Sequence, residues 1–284
     1  MKRREFVKST AVFTTLSVMG QSVLSGTLLK PKQPIGLQLY TVRDQIRDDL
    51  EGTIAQVAKT GYTVVEGAGY SKGTFYGLKP GEFKSLLDSV GLKMVSSHTN
   101  TASLRDQADA TLKDAADAGA TYVVLAWLGP NERKTMDDYK VVVDILNKAG
   151  EKAKQYGIKV CYHNHDFEFQ SIDGMMPYHL LMEKSDPELV AMELDLYWVT
   201  KAGHNPLELF EMHSGRFPLW HVKDMDDTPE QNFTEVGNGV IDFQKIFDKA
   251  EQAGLNYFFV EQDRCNRPPL ESIKISYQNV LKLS

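Results

Sequence analysis

Histidine and carboxylate side chains stand at the ends of several short apolar runs in this chain. Such runs are typical of buried strands, which cannot bury polar groups without partners. The groups must therefore meet one another, a metal ion or a ligand. In chain order they are Gln38, Glu66, Ser96-Ser97-His98, Tyr162-His163-Asn164-His165-Asp166, Glu193-Leu194-Asp195, His221-Val222-Lys223-Asp224 and Glu261-Gln262-Asp263-Arg264.

Alternation along a strand predicts which of these groups point the same way, because residues two apart share a face. Imidazole and carboxylate groups together suit Mn²⁺, Zn²⁺, Co²⁺ or Fe²⁺, and carboxylates also accept Mg²⁺. The sequence therefore predicts a divalent metal site. The pairs that share a face are His163 with His165, Glu193 with Asp195, and His221 with Lys223.

Each group taken alone also has a simpler interpretation. A single histidine at a strand end is more often a hydrogen-bonded core residue than a ligand. Glu193 could be the buried partner of Lys223, and Asp224 and Asp263 could be loop or helix-cap residues. The metal prediction therefore depends on the groups occurring together.

The elements that must position these groups alternate regularly from Pro34 onward. Apolar runs alternate with longer amphipathic segments, and several of these end in glycine before the next run, as in Thr60-Gly61-Tyr62. Glycine there can adopt the left-handed conformation that ends a helix. The predicted strands are Ile35–Tyr40, Tyr62–Glu66, Lys93–His98, Tyr122–Trp127, Lys159–His163, Val190–Asp195, Leu219–Lys223 and Tyr257–Glu261. The predicted helices are Asp49–Lys59, Glu82–Val90, Ser103–Ala118, Met136–Tyr156, Met176–Lys184, Pro206–His213, Phe243–Ala253 and Leu270–Leu281.

Eight such units in about 250 residues predict a (β/α)₈ TIM barrel, as a single domain over residues 31–284. The C-terminal ends of the strands meet at one mouth of such a barrel, where active sites lie. A doubly wound open sheet is less well supported, because no G-x-G-x-x-G segment follows the first strand.

The order of these strand ends resembles the sugar phosphate isomerase/epimerase family, the xylose-isomerase-like barrels. Its members include ketose 3-epimerases, inosose isomerases and inosose dehydratases. The resemblance covers about Pro34 to Ser284. It lies in Gly36-Leu37-Gln38-Leu39-Tyr40, Tyr162-His163-Asn164-His165, Glu193-Leu194-Asp195, His221-Val222-Lys223-Asp224 and Val260-Glu261.

The resemblance implies a metal held by a Glu on the fifth strand, an Asp on the sixth, a His on the seventh and a Glu on the eighth. Asp195, His221 and Glu261 match three of these positions. His163 stands where the fifth-strand Glu is expected, and His165 is the alternative ligand. The Tyr-His-x-His pattern is closer to the inosose dehydratases than to the ketose epimerases, and it departs from the usual two-glutamate proton transfer.

The expected activity is that of a metal-dependent isomerase or epimerase, which removes a proton next to the carbonyl of a sugar or keto-sugar. The alternatives are a dehydratase or lyase acting on an inosose or on a 3-keto sugar or glycoside, a periplasmic carbohydrate-binding protein, and a glycosidase. The expected roles are acid/base catalysis for Glu261, with His163, His165 or Glu193 as the second group, and hydroxyl binding for Gln38, Glu66, His98 and Lys223.

Two loop features are further candidates for substrate contacts. The amides of Gly237-Asn238-Gly239 could receive an anion or hydroxyl, or could simply form a tight turn before a helix. Four aromatic residues near strand ends could stack on a sugar ring or pack in the ordinary way: Tyr40, Trp127, Tyr197 and Trp198.

Charge and cysteine content exclude some classes of protein. The 32 basic and 38 acidic residues give a net charge of −6, so we expect a small sugar rather than nucleic acid as the partner. A homo-oligomer remains open. Cys161 and Cys265 form no C-x-x-C motif, so they are two free thiols or one long-range disulfide.

Residues 1–30 predict an export signal rather than part of the barrel. Arg3-Arg4 precede Phe6 and a weakly apolar run from Ala11 to Met19. This pattern resembles the twin-arginine signal, and the run is too short to span a bilayer. We therefore expect an exported, periplasmic protein without stable membrane insertion.

Overall fold

Eight parallel strands close into a barrel in the computed structural model of this chain, which describes residues 33–283. Each strand pairs with its neighbours in the chain, and the first also pairs with the eighth. The predicted (β/α)₈ barrel is therefore confirmed, and the open sheet is excluded. The strands are β1 (Ile35–Gln38), β2 (Val64–Gly67), β3 (Lys93–Thr99), β4 (Tyr122–Leu125), β5 (Lys159–His163), β6 (Val190–Asp195), β7 (Leu219–Val222) and β8 (Tyr257–Val260).

Helices follow every strand and pack their apolar faces against the outside of the barrel. Leu50–Thr60, for example, buries Ile54 and Val57. The α-helices are Arg43–Asp48 and Leu50–Thr60 after β1, Pro80–Ser89 after β2, Thr101–Asp106 and Ala108–Asp117 after β3, Met136–Ala153 after β4, Pro177–Lys184 after β5, Leu196–Lys201 and Pro206–Met212 after β6, Phe243–Phe247 and Ala250–Ala253 after β7, and Pro269–Val280 after β8. Short 3₁₀ helices cover Leu39–Val42, Pro130–Glu132, Lys154–Tyr156 and Phe167–Phe169, and two hairpins pair Tyr70–Ser71 with Thr74–Phe75 and Asp224–Met225 with Phe233–Thr234.

Two of the differences from the predicted elements arise because side chains bond to the backbone. The first strand ends at Gln38 rather than Tyr40, since the Gln38 side chain accepts the N–H of Tyr40 and begins a 3₁₀ helix. The helix Leu196–Lys201 was not predicted. It begins directly at the end of β6, because the Asp195 carboxylate accepts the N–H of Trp198 and caps it.

An apolar plug fills the barrel beneath the polar strand ends. Phe259 is part of this plug, and a Cβ atom on Gly36 would lie 2.6 Å from the Phe259 ring, so only glycine fits there. Cys161 is part of the plug, and both it and Cys265 are free thiols. The plug residues are Val64, Val95, Val124, Cys161, Ala191, Leu219 and Phe259.

The glycine at the end of the helix Leu50–Thr60 has the predicted conformation. Gly61 has a φ of 118°, and its N–H donates to the carbonyl of Ala58. An added Cβ would lie 2.4 Å from the ring of Tyr277. The turn back into β2 therefore needs glycine both for its backbone angle and for space.

The predicted export segment, residues 1–30, lies outside the described residues. Within residues 33–283, no helix is long and apolar enough to cross a membrane.

Candidate metal centre

The polar groups lie one layer above the plug, at the C-terminal mouth of the barrel. His163 follows the plug residue Cys161 by two positions, and His221 follows Leu219 in the same way. Strand pairing places Asp195 opposite His221. The alternation that buries the plug therefore also points these polar groups into the barrel.

Three of the predicted ligands bring donor atoms together. One atom from each of Asp195, His221 and Glu261 lies within 4.8 Å of the other two. Nδ1 of His221 is 2.7 Å from Oε2 of Glu261 and 3.8 Å from Oδ2 of Asp195. Among the described residues none of these three buried atoms has a hydrogen-bond partner. Buried acceptors without directed hydrogen bonds cost free energy, and a cation bound between them would satisfy all three.

A second group of candidate metal ligands consists of Glu193, whose carboxylate is fully buried, and the histidines around it, His98, His163 and His221. Oε2 of Glu193 lies 2.8 Å from Nε2 of His98, 3.1 Å from Nδ1 of His163 and 3.2 Å from Nε2 of His221. These are hydrogen-bond distances. Glu193 therefore orients the imidazole rings around it.

His163 lies between the two groups rather than among the three converging donors. Its Nδ1 faces Glu193, and its Nε2 lies 3.6 Å from Oδ2 of Asp195. Burial lowers the pKa of His163, so the ring is neutral. With Nδ1–H donated to Glu193, Nε2 is free to bind a metal. The role of His163 as fourth ligand stays a prediction.

The carboxylate of Glu66 fixes the orientation of His221. Its Oε2 lies 2.6 Å from Nε2 of His221 and accepts a hydrogen bond from Nε2 of Gln38 at 2.7 Å, while Oε1 accepts one from Ser96. With Nε2–H donated to Glu66, Nδ1 of His221 faces Asp195 and Glu261. Second-layer carboxylates of this kind commonly orient metal-bound histidines.

Lys223 places an ammonium group beside the donor atoms. Its Nζ lies 2.6 Å from Oε2 of Glu261, and 2.9 Å from both Oδ2 of Asp195 and Oδ1 of Asp263. Burial opposes the charge, but the carboxylates, Asp195 first, raise the pKa of Lys223 well above its ordinary value. The contacts of Lys223 with Asp195 and Glu261 are ion pairs that lack the geometry of a hydrogen bond. Oδ2 of Asp195 and Oε2 of Glu261 therefore still have no hydrogen-bond partner among the described residues.

The mouth has more carboxylates than cations. Burial disfavours the charged form of His98, yet the carboxylates of Glu66 and Glu193 raise the pKa of His98 to about 9. Carboxylates raise the pKa of His221 in the same way. Protons on His98 and His221 thus offset part of the negative charge of the carboxylates. A divalent cation would offset more of that charge, so the residues present suit such a cation.

A cavity of about 1140 Å³ opens at this mouth. His98, Lys223 and Glu261 line it, so a bound molecule can touch them. Gln38, Glu66 and Glu193 are fully buried and are not part of the lining. These residues contact the histidines of the mouth or one another from beneath, and the expected substrate contacts of Gln38 and Glu66 and the expected catalytic role of Glu193 stay predictions.

His165 lines the cavity but belongs to neither group of candidate ligands. Its ring stacks on Phe167 at a centroid distance of 5.2 Å and contacts Trp198. Burial, together with the charge of Lys223, lowers the pKa of His165 to about 3, so the ring is neutral near pH 7. This position suits contact with substrate better than metal binding.

Glu168 supports the loop after β5 and is not among the residues predicted from the sequence. The buried Glu168 carboxylate accepts a hydrogen bond from the Tyr162 hydroxyl and another, at 2.8 Å, from the N–H of His165. Burial raises the pKa of Glu168 to about 7. The only sequence signal was an acidic residue between Phe167 and Phe169.

The Gly237-Asn238-Gly239 loop binds a carboxylate of the chain itself. The amides of Gly237 and Gly239 donate to Oδ2 of Asp224 at 2.8 and 2.9 Å, and those of Met225 and Ile241 donate to Oδ1. The expectation that these amides receive a substrate is corrected, because Asp224 already occupies them. Asp224 is the loop residue that the simpler interpretation allowed.

Replacing Asp224 with alanine should lower the free energy of unfolding by about 3 kcal/mol, because four backbone donors lose their acceptor. Asp226→Ala is the matched control, since Asp226 is only half-buried and bonds within its own loop. The control should cost less than about 1 kcal/mol. Urea unfolding of both variants measures the difference, and equal losses would contradict the assigned role.

The chain matches the xylose isomerase-like TIM barrel family over residues 54–280. The chain belongs to this family. The matched range contains β2 to β8 and thus all the candidate ligands. The resemblance predicted from the strand ends is therefore confirmed.

Several relatives of this barrel are inosose dehydratases. The protein of Geobacillus kaustophilus is 24% identical over an alignment that covers 87% of this chain and 89% of the relative. That of Geobacillus thermodenitrificans is 28% identical over 156 residues, which is 48% of this chain. The chain matches about half of that relative's length, 52%.

Solved structures of other family barrels superpose well. A sugar phosphate isomerase/epimerase from Parabacteroides distasonis has a TM-score of 0.77 at 28% identity, covering 89% of this chain and 94% of that one. The IOLI protein with a bound zinc atom has a TM-score of 0.70 at 16% identity, covering 88% and 98%. At that identity, the second likeness concerns the fold alone.

Proposed function

We propose that this chain is a metal-dependent enzyme that removes a proton from the carbon next to a carbonyl of a sugar or keto-sugar. The observation that carries the proposal is the convergence of Asp195, His221 and Glu261, of which Glu261 lines the cavity, with donor atoms that have no hydrogen-bond partners among the described residues. The sugar-acting relatives support the substrate class.

Glu261 is the base in this proposal. It belongs to the donor group and also lines the cavity, so it can reach both a metal and a substrate carbon. Its contact with Lys223 keeps the carboxylate ionised and able to accept a proton. When bound, a divalent metal polarises the carbonyl and stabilises the negative charge that forms as the proton leaves.

His98 and Lys223 complete the polar floor of the cavity. His98 is held by Glu66 and Glu193, and Lys223 by three carboxylates, so both groups are fixed before substrate binds. They can donate hydrogen bonds to substrate hydroxyls without rearranging. His163 and His165 border the same space.

Two fates of the deprotonated substrate follow from the same first step. An isomerase or epimerase returns a proton to another carbon or face, and the Parabacteroides distasonis relative supports this outcome. A dehydratase or lyase instead protonates a leaving oxygen. Glu193 is buried and does not line the cavity, so the acid/base groups that face substrate beside Glu261 are imidazoles rather than a second glutamate. This arrangement favours elimination.

Incubation with keto-sugars and inososes in D₂O distinguishes these fates. We expect mass spectrometry and NMR to find either an isomer with one deuterium on carbon or a product lighter by one water. A broad panel in which no substrate carbon exchanges with solvent would contradict proton abstraction.

The two other classes are less well supported. A two-lobed carbohydrate-binding protein would contain two β/α domains, whereas residues 33–283 contain one closed barrel. A glycosidase needs two carboxylates free to flank one bond. Here Glu261 belongs to the donor group, and Asp263 is paired with Lys223.

We also propose that the protein is exported by the twin-arginine route, from the Arg3-Arg4 pattern of its first residues. Replacing both arginines with lysine should retain the protein in the cytoplasm, because the pathway reads the arginine pair. Cell fractionation measures the location. Unchanged export of the double variant would remove the twin-arginine assignment.

A further inference from the structure

The cavity is larger than the metal floor requires. Its volume of about 1140 Å³ lies above the usual range of small-molecule sites, roughly 300–1000 Å³. The reacting groups occupy only its floor, around Glu261 and His98. The loops after all eight strands contribute to the lining. Space therefore remains between the floor and the rim for more than one small ring.

Two large aromatic side chains stand at this rim with much of their surface in water. Trp127, two residues beyond β4, is 49% exposed, and Tyr40, two residues beyond β1, is 43% exposed. Both line the cavity. By contrast Tyr197, on the same mouth, is fully buried and donates its hydroxyl hydrogen to the carbonyl of Gln231. Trp127 and Tyr40 are thus not ordinary packing residues.

Each rim aromatic has an arginine close to its ring. The guanidinium of Arg43 lies 4.1 Å from the centre of the Tyr40 ring and is fixed by hydrogen bonds to the carbonyls of Tyr40 and Asp263. That of Arg133 lies 5.9 Å from the Trp127 ring and 3.6 Å from Phe167. Such contacts hold the rings in place, and a ring held in place stacks on a ligand with little loss of conformational entropy.

We propose that the substrate carries a second ring, as in a glycoside or disaccharide, and that this ring stacks on Trp127 while the first ring lies on the polar floor. The inference rests on the proposed function for the location of the first ring. The apolar face of a sugar or phenyl ring would cover indole surface that is now in water. Tyr40 offers a second contact across the mouth.

Calorimetric titration with matched phenyl and methyl β-glycosides tests this, using the gluco, galacto and manno forms with the zinc-supplied full chain. The phenyl member of at least one pair should bind about tenfold more tightly. Trp127→Ala should remove that preference, and Trp127→Phe should keep most of it. Met212→Ala, which is equally exposed but outside the cavity, should change nothing.

Equal affinity for both members of every pair, absence of binding by all of them, or a preference that survives Trp127→Ala would overturn the two-ring inference. The titration measures binding without turnover, so its result does not depend on whether the proposed reaction occurs. A phenyl preference that depends on Trp127, in a protein that exchanges no substrate carbon with D₂O, would support the second ring and remove only the reaction.

Discussion

Asp195→Asn should reduce bound metal from about one ion per chain to almost none. The change replaces a charged ligand oxygen with a neutral one, which binds divalent cations far more weakly. The helix cap should survive, because the Asn side-chain oxygen can still accept the N–H of Trp198 that Asp195 now accepts at 3.0 Å. His221→Ala should lose the metal as well. Elemental analysis after dialysis measures both.

Activity in these two variants should fall by at least about a thousandfold, because charge stabilisation by the metal is lost with it. Glu168→Gln is the matched control, since Glu168 is a buried carboxylate of the same barrel outside the donor group. It should keep its metal. Full occupancy in folded Asp195→Asn and His221→Ala proteins would show that the ion lies elsewhere.

Glu261→Gln should slow proton exchange into substrate by about 10²- to 10⁴-fold, the usual contribution of a general base. The amide keeps the size of the side chain and one oxygen near His221, but it cannot accept a proton. The change also makes a charged ligand oxygen neutral, so metal content should fall as it does in Asp195→Asn. Deuterium incorporation per bound metal separates the lost base from lost metal.

The Glu168→Gln control should exchange within about tenfold of the unaltered protein, since its carboxylate does not line the cavity. Glu261→Gln exchanging as fast as this control, with its metal in place, would remove Glu261 as the base. His163 or His165 would then be tested in the same way.

The barrel could be predicted from the sequence because its strands are continuous apolar runs with glycine-terminated helices between them. The β5 and β6 boundaries agree with the prediction residue for residue, Lys159–His163 and Val190–Asp195. Alternation then predicted that Glu193 and Asp195 share a face, as do His221 and Lys223. Local rules of this kind depend only on neighbours along the chain.

The layering of the site could not be predicted in the same way. In the sequence, Glu66, Glu193 and Glu261 all stand at strand ends and are equally good candidates for the site. In the structure only Glu261 of these three lines the cavity, because the other two are buried deeper in the barrel. A shift of register between β2 and β3 after Val65 also pairs Glu66 with Ser96, and the Ser96 hydroxyl donates to Glu66. Such irregularities depend on the packing of the whole barrel.

The contacts of two loop carboxylates, Asp224 and Glu168, could not be predicted for a related reason. Asp224 lies beside Lys223 in sequence, yet it turns away from the mouth to bind amides thirteen to seventeen residues later. Nothing local distinguishes a carboxylate that binds substrate from one that binds its own backbone. The same holds for Glu168, which bonds to Tyr162 and His165 within its own loop.

The most direct test of the metal centre is an anomalous difference map from crystals of the unaltered protein, recorded at the absorption edge of the metal found by elemental analysis. We expect one peak about 2.0–2.3 Å from donor atoms of Asp195, His221 and Glu261. The map also shows whether Nε2 of His163 completes the set. A map without a peak at these three residues, or with its only peak among His98, His163 and Glu193, would contradict this metal centre.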